Sequence, residues 1–211
     1  MKIVIAYFAA FLGVCGHASS EFFVRLSGTS GVEVSVWRFG IGGISLIILA
    51  LCSKNTRDLF APLKNDGLII LTLSVCGMAF GQFLFHWALD FASVVQVATV
   101  ITIMPICVVF VAKCIDGTEI GIPKLFSGFG AFLGCLFLIT DGYFEQLTSD
   151  SDSLIGIILS IACALIGAIY LVLVKPYIKK YGAIRMTTYT FVLGFFALYP
   201  AVGLIWNNWI D

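Results

Sequence analysis

Residues 154–185 read LIGIILSIACALIGAIYLVLVKPYIKKYGAIR, an uncharged apolar run followed by four cations. A helix needs about 20 mostly apolar residues to cross a hydrocarbon core of about 30 Å. Lipid offers the backbone no hydrogen-bond partners, so a run this long that does not alternate in polarity must be helical. The stretch therefore predicts a transmembrane helix that ends in the cationic segment from Lys175 to Arg185.

Six further runs of the chain have the same length and character, at residues 3–25, 34–52, 67–89, 94–111, 123–140 and 186–206. Hydrophobic residues make up 60% of the chain and charged residues 11%, against about 25% charged in soluble domains. The first run begins like a secretory signal peptide but continues through Phe22 and Phe23, so we expect it to be retained. The sequence predicts an all-α, polytopic membrane bundle of about seven transmembrane helices.

The cations give the bundle an orientation. If each run crosses once, all but Arg25 and Arg38 of the 12 Lys and Arg residues fall on one side. Short cationic loops stay in the cytoplasm during insertion. The N-terminus is therefore predicted to be cytoplasmic, in a multi-pass protein of the cell inner membrane. The four Trp residues lie at the opposite ends of the runs, where amphipathic rings suit the headgroup layer.

Charge and cysteine content argue against several other classes of protein. The formal net charge is zero, so we expect no nucleic-acid partner. The seven cysteines include no C-x-x-C pair, and most lie inside apolar runs, where a thiol acts as a small hydrophobe. We expect no metal site and no cofactor, and the partners are predicted to be the lipid bilayer and a small-molecule substrate.

A weak internal repeat divides the chain. An offset of 150 residues aligns the cation-terminated segment at 22–25 with that at 172–175, and Phe39 with Tyr189. The division predicts a five-helix unit at residues 1–141, an outer loop at 142–153, and the start of a second unit at 154–211. Because five is odd, the second unit would enter the membrane inverted, a plan common among secondary transporters.

Several motifs carry a family resemblance. They are Trp37-Arg-Phe39 at the start of the second run, ALDFASVVQ at residues 88–96, Pro105, Gly117-Thr-Glu119, Pro123 and Gly128, and GAIYLVLVK at residues 167–175. Together they resemble the EamA-type drug/metabolite transporters. The resemblance implies ten helices in two inverted halves, of which this chain carries seven. We therefore expect either a truncated or split product, or a second chain that supplies the missing helices.

The first run carries the leading candidates for a substrate or proton pathway. His17, Glu21 and Arg25 recur every fourth residue, so they lie on one helix face. An ionisable group in a membrane helix is costly, which favours a functional role. The resemblance adds that the related small multidrug resistance proteins carry a glutamate in their first helix. The alternative is an ion pair between Glu21 and Arg25 that reaches into the headgroups.

Other polar side chains in the runs are further candidates for the pathway: Gln82, His86, Gln96, Thr99 and Tyr170. His86 and Asp90 share the i, i+4 spacing, which suits a proton relay, a metal pair or a helix cap. Pro105 removes one backbone hydrogen bond near mid-membrane and so predicts a helix hinge. For Gln82 and Tyr170, packing is the alternative role, and for Gln96 and Thr99 it is hydrogen bonding between helices.

Three functions fit these features. The first is a transporter of small organic metabolites or drugs, with or without proton coupling, that alternates access between inverted repeats. The second is a non-transporting membrane subunit or remnant. The third is an intramembrane enzyme that uses His17, Glu21, His86 and Asp90 as acid and base groups; no nucleophile motif accompanies them, so we expect the chain not to be an enzyme.

Overall fold

A computed structural model of the chain describes residues 4–5, 7–13, 15–16, 31–52, 56–117, 121–140 and 151–206. All regular secondary structure in these ranges is helical, and residues 4–5, 7–13 and 15–16 are helical as well. The later helices are α1 (Gly31–Cys52), α2 (Ala61–Thr72), a π-helix (Leu73–Ala79), α3 (Phe80–Phe91), α4 (Val94–Ile101), α5 (Met104–Asp116), α6 (Ile122–Thr140), α7 (Ser151–Tyr181) and α8 (Ala183–Trp206). The all-α fold class is confirmed.

Four helical stretches in the described ranges are long and apolar enough to cross a membrane: Glu33–Cys52, Ala61–Phe91, Gln96–Ile115 and Leu154–Tyr181. In the numbering of the seven predicted runs, these four stretches are the second, third, fourth and sixth spans. The third span joins α2, the π-helix and α3, and the fourth span joins α4 and α5. Together with the further helices α6 and α8, they form a polytopic helical bundle, as the sequence predicted.

One face of α1 is both apolar and exposed. Trp37, Ile41, Ile44 and Ile48 are each 58–64% exposed, and their spacing places them on one face of the helix. Phe39 on the opposite face is buried at 3%. A helix that exposes its largest apolar side chains is stable when lipid covers that face.

Helices α1 and α8 run antiparallel and pack closely through glycine. A Cβ atom on Gly40 would lie 2.9 Å from the Phe195 ring, and one on Gly43 would lie 3.3 Å from Val192. A residue nearer the end of α1 therefore contacts a residue nearer the start of α8, as in any antiparallel pair. Small residues let membrane helices approach this closely, because there is no Cβ atom to hold them apart.

Two further contacts between α1 and α8 are reciprocal. A Cβ on Gly42 would lie 2.6 Å from the Phe191 ring, and one on Gly194 would lie 2.9 Å from the Phe39 ring. The two rings also meet each other, with centroids 5.1 Å apart. Adding 152 to the numbers of Phe39 and Gly42 gives Phe191 and Gly194. The reciprocal contacts thus relate positions 152 residues apart, whereas the sequence repeat was aligned at an offset of 150.

Two of the predicted lysine-bearing connections lie at the same end of the bundle. Lys180 Nζ donates to Asp66 Oδ2 at 2.6 Å, and Arg185 Nε donates to the Thr56 carbonyl oxygen at 3.4 Å. This arrangement brings residues 56–66 to the junction of α7 with α8. The two segments therefore lie on one side of the bundle, as the charge pattern predicted. We call this the lysine-rich end. Its cytoplasmic location stays a prediction.

Candidate functional site

A cavity of about 390 Å³ lies between the π-helix, α3, α7 and the junction of α4 with α5. Its volume is within the roughly 300–1,000 Å³ of small-molecule sites. Its lining is mostly apolar, and glycines at three points bring the neighbouring helices close: Gly77, Gly81 and Gly167. The polar side chains of its lining include Gln82 and Tyr170.

The cavity is bracketed by two contacts between the third and sixth spans. On one side, a Cβ on Gly156 would lie 2.4 Å from Ala92 Cβ and 3.0 Å from the Ala88 carbonyl oxygen. On the other side is the ion pair between Lys180 and Asp66. Gly167 lies about 16 Å from Gly156 and about 20 Å from Lys180 along α7, at 1.5 Å per residue. The cavity is therefore near the middle of the span.

The π-helix forms one wall of the cavity. It covers Leu73–Ala79 in an otherwise α-helical span, and such segments occur frequently at functional sites. A Cβ on Gly77 would lie 2.7 Å from Tyr170 Cδ2, so only glycine admits the tyrosine ring here. The Tyr170 hydroxyl lies 3.2 Å from Thr190 Oγ1, which donates to the Met186 carbonyl oxygen at 2.9 Å.

The break in the fourth span forms a second wall. Helix α4 ends at Ile101, α5 begins at Met104, and the two residues between them form a turn. Pro105 follows directly and has no N–H group to offer the Ile101 carbonyl. Ile101 and Met104 both line the cavity. The break is where Pro105 predicted it, and its role as a hinge stays a prediction.

His86 ties α3 to α1 beside the cavity. Its Nδ1 atom lies 2.8 Å from the Gln82 carbonyl oxygen and 2.6 Å from Ser35 Oγ. The carbonyl can only accept, so this geometry places the proton of a neutral ring on Nδ1. The ring is 1% exposed, whereas Asp90 is exposed. The two residues therefore differ in environment, and the contacts of His86 support a role in holding α1 and α3 together.

Comparison with known proteins gives the chain a family. Residues 4–140, more than half of its length, match the model of the EamA-like transporter family. The chain belongs to that family. A similar protein is the "Uncharacterized transporter YyaM" of Bacillus subtilis (strain 168), which is 25% identical over 160 residues, or 76% of this chain and 52% of the relative. The chain thus spans about half the length of this curated relative. No solved structure matches it.

Two predicted pathway residues of this EamA family chain, Gln96 and Thr99, lie in α4. Gln96 Oε1 accepts from the Ser93 backbone N–H at 2.8 Å, and Ser93 Oγ accepts from the Gln96 N–H at 3.3 Å. This reciprocal capping box begins α4. Thr99 is buried at 3% exposure, and its carbonyl oxygen accepts from Thr102 Oγ1 at 2.6 Å.

The remaining candidates, His17, Glu21 and Arg25, lie outside the described residues. Sequence reasoning selected Gln82 and Tyr170, which the structure brings to one cavity. It missed Gly77, Met78 and Met104, which also line the cavity. Apolar residues and glycines resemble ordinary packing in a sequence. Within the described residues, no group of three or more His, Cys, Asp or Glu side chains could hold a metal ion.

Proposed function

We propose that this EamA family chain takes part in moving small organic metabolites or drugs across the cell inner membrane, and that the substrate binds in the mid-span cavity. The observation that carries the proposal is the cavity itself, which lies where two spans and the break in a third meet. Secondary transporters bind substrates near the bilayer midplane, next to interrupted helices. On this proposal the chain transports and does not catalyse.

We further propose that residues 1–141 and 154–211 act as two inverted units that rock against each other. The reciprocal contacts of Phe39 with Gly194 and of Phe191 with Gly42 support this proposal, because a local two-fold axis exchanges equivalent pairs. The contacts at the two ends of the cavity would then open in turn. Each joins α7, from the second unit, to the third span, from the first unit.

A substrate pathway must admit water from at least one side of the membrane, and Cys163 can report this. Cys163 lines the cavity and is 5% exposed. In a variant that keeps Cys163 alone, we expect a charged methanethiosulfonate reagent to modify it slowly, at roughly a hundredth of the rate of an exposed thiol. The measurement is the modified fraction against time, by mass spectrometry of the protein in sealed vesicles.

The matched control is a variant that keeps only Cys114, which is exposed in α5. Its thiol should react within minutes from one side. If Cys163 stayed unmodified from both sides for many hours under the same conditions, the cavity would be a sealed packing void. The proposed substrate site would then be wrong.

We also propose that Glu21 couples transport to protons. Replacing Glu21 with Gln removes the titratable group and should abolish coupled flux, while Glu33→Gln at the start of the next span should leave it intact. The measurement is proton flux into proteoliposomes, followed with a trapped pH-sensitive dye while a pooled panel of metabolites is added outside. Undiminished proton flux in Glu21→Gln would remove Glu21 from the mechanism.

A second proposal concerns the unit that transports. The matched region covers 52% of the curated relative, which favours a transport unit with further helices, from the same polypeptide or from a partner chain. If so, this chain alone would be a non-transporting subunit. Reading the coding DNA beyond the codon for Asp211, and identifying proteins that copurify with the tagged chain, would separate these cases.

A further inference from the structure

Five side chains in the cavity lining indicate what kind of ligand the cavity would bind. They are Met78, Gln82, Phe85, Met104 and Tyr170. We propose that the cavity takes a planar aromatic molecule with a hydrogen-bonding group at one edge. This inference rests on the proposed function, in which the cavity is the substrate site.

The thioethers and rings come from three different spans. Met78 from the π-helix and Phe85 from α3 both line the cavity. Met104 enters from α5, where its Cε atom would lie 2.7 Å from a Cβ on Gly167. Tyr170 enters from α7 across Gly77. A flat ring bound among these groups would contact thioether and aromatic side chains, and both kinds of contact favour an aromatic over a saturated ligand.

Gln82 supplies the polar edge of the site. Gln82 lines the cavity, and because its backbone carbonyl accepts from His86, its side-chain amide is the group that we assign to the ligand. The Tyr170 hydroxyl already lies at hydrogen-bonding distance from Thr190. An amide carries both a donor and an acceptor, and in a low-dielectric site it gains strongly from a partner. A carboxamide or similar group on the ring edge would pair with it on both sides.

The test compares two ligands with the same carbon skeleton and carboxamide group, the flat aromatic 2-naphthamide and its puckered, ring-saturated analogue decahydronaphthalene-2-carboxamide. The full chain is placed in lipid nanodiscs, and binding is measured by equilibrium dialysis. Empty nanodiscs give the amount that dissolves in lipid, which is subtracted. We expect the aromatic amide to bind at least about fivefold more tightly than the saturated one.

Variants assign the effect to the named side chains. Met78→Leu combined with Met104→Leu keeps the lining apolar but removes both sulfur atoms, and should weaken 2-naphthamide binding roughly three- to tenfold. Gln82→Leu should weaken it about tenfold through the lost hydrogen bonds. Met186→Leu is the control, because Met186 is buried with Ile70 and Tyr189 and does not itself line the cavity. It should bind like the unaltered chain.

The outcomes separate the two levels of the proposal. If both amides bind equally, or if the paired methionine change does no more than Met186→Leu, the aromatic preference is wrong and the cavity remains a ligand site. If neither amide binds above the level of empty nanodiscs, this inference and the proposed substrate site are both wrong.

Discussion

Replacing Gly156 with alanine should destabilise the bundle by about 1–3 kcal/mol or more, because overpacking of a well-packed interface costs that amount. The new Cβ would lie 2.4 Å from Ala92 Cβ and 2.9 Å from the Ala92 backbone nitrogen. Backbone atoms cannot move aside as a flexible side chain can, so α7 must shift away from α3. The measurement is the free energy of unfolding in mixed micelles of dodecyl maltoside and sodium dodecyl sulfate.

Gly130→Ala and Gly134→Ala in α6 are the matched controls. A Cβ at either position meets nothing within 4 Å. Alanine is the better helix former by about 1 kcal/mol, so these variants should be neutral or slightly more stable. If Gly156→Ala behaved as they do, the close approach of α7 to Ala92 would not exist in the folded protein.

The second large effect should come from the reciprocal contacts between α1 and α8. Gly42→Ala and Gly194→Ala should each lower the free energy of unfolding by about 1–3 kcal/mol, since each new Cβ meets a phenylalanine ring. Shortening the facing ring should relieve the clash selectively. Gly42→Ala should therefore cost less free energy of unfolding when Phe191 is already alanine, and Gly194→Ala should cost less when Phe39 is already alanine. In each case the double variant is compared with the variant that lacks only the ring.

The crossed combinations are the controls. Gly42→Ala with Phe39→Ala, and Gly194→Ala with Phe191→Ala, remove a ring that does not face the new methyl group. Their effects should therefore lie closer to additivity. Equal rescue by both rings would show that α1 and α8 adapt freely, and the two-fold arrangement of contacts would lose its support.

The helical architecture follows from the sequence because the lipid environment leaves few alternatives. Uncharged runs such as 154–174 have to be helices in lipid, and the structure has helices there. Charge placement also predicted that these connections share one side of the bundle, and there Arg185 and Lys180 contact Thr56 and Asp66. Both predictions rest on the high free-energy cost of placing unpaired backbone groups or charged side chains in lipid. The sequence shows directly where those costs would arise.

Helix register was less accessible. The repeat offset of 150 aligned Phe39 with Tyr189, whereas the contacts relate Phe39 to Phe191. Apolar helices align with each other in many registers at similar quality. Which residues of α1 and α8 contact each other depends on which glycine faces which ring. That is a property of the packed pair of helices.

The candidate site could be predicted only in part, again because packing is not visible in a sequence. A polar side chain in an apolar run is conspicuous, so Gln82 and Tyr170 could be selected. The π-helix at Leu73–Ala79 has no comparable mark in the sequence LSVCGMA. In the sequence, Met78 and Met104 look like ordinary lipid-facing or core residues. The structure shows that both line the cavity.

The length of α7 sets how the protein matches membranes of different thickness. Its 31 residues rise about 46 Å, and the uncharged part alone spans about 31 Å, close to an average hydrocarbon core. Lys175 marks the boundary, because its ammonium group resists entry into hydrocarbon. In a thicker bilayer the helix would therefore tilt less and thin the lipid around it, which keeps the depth of the cavity below the surface nearly constant.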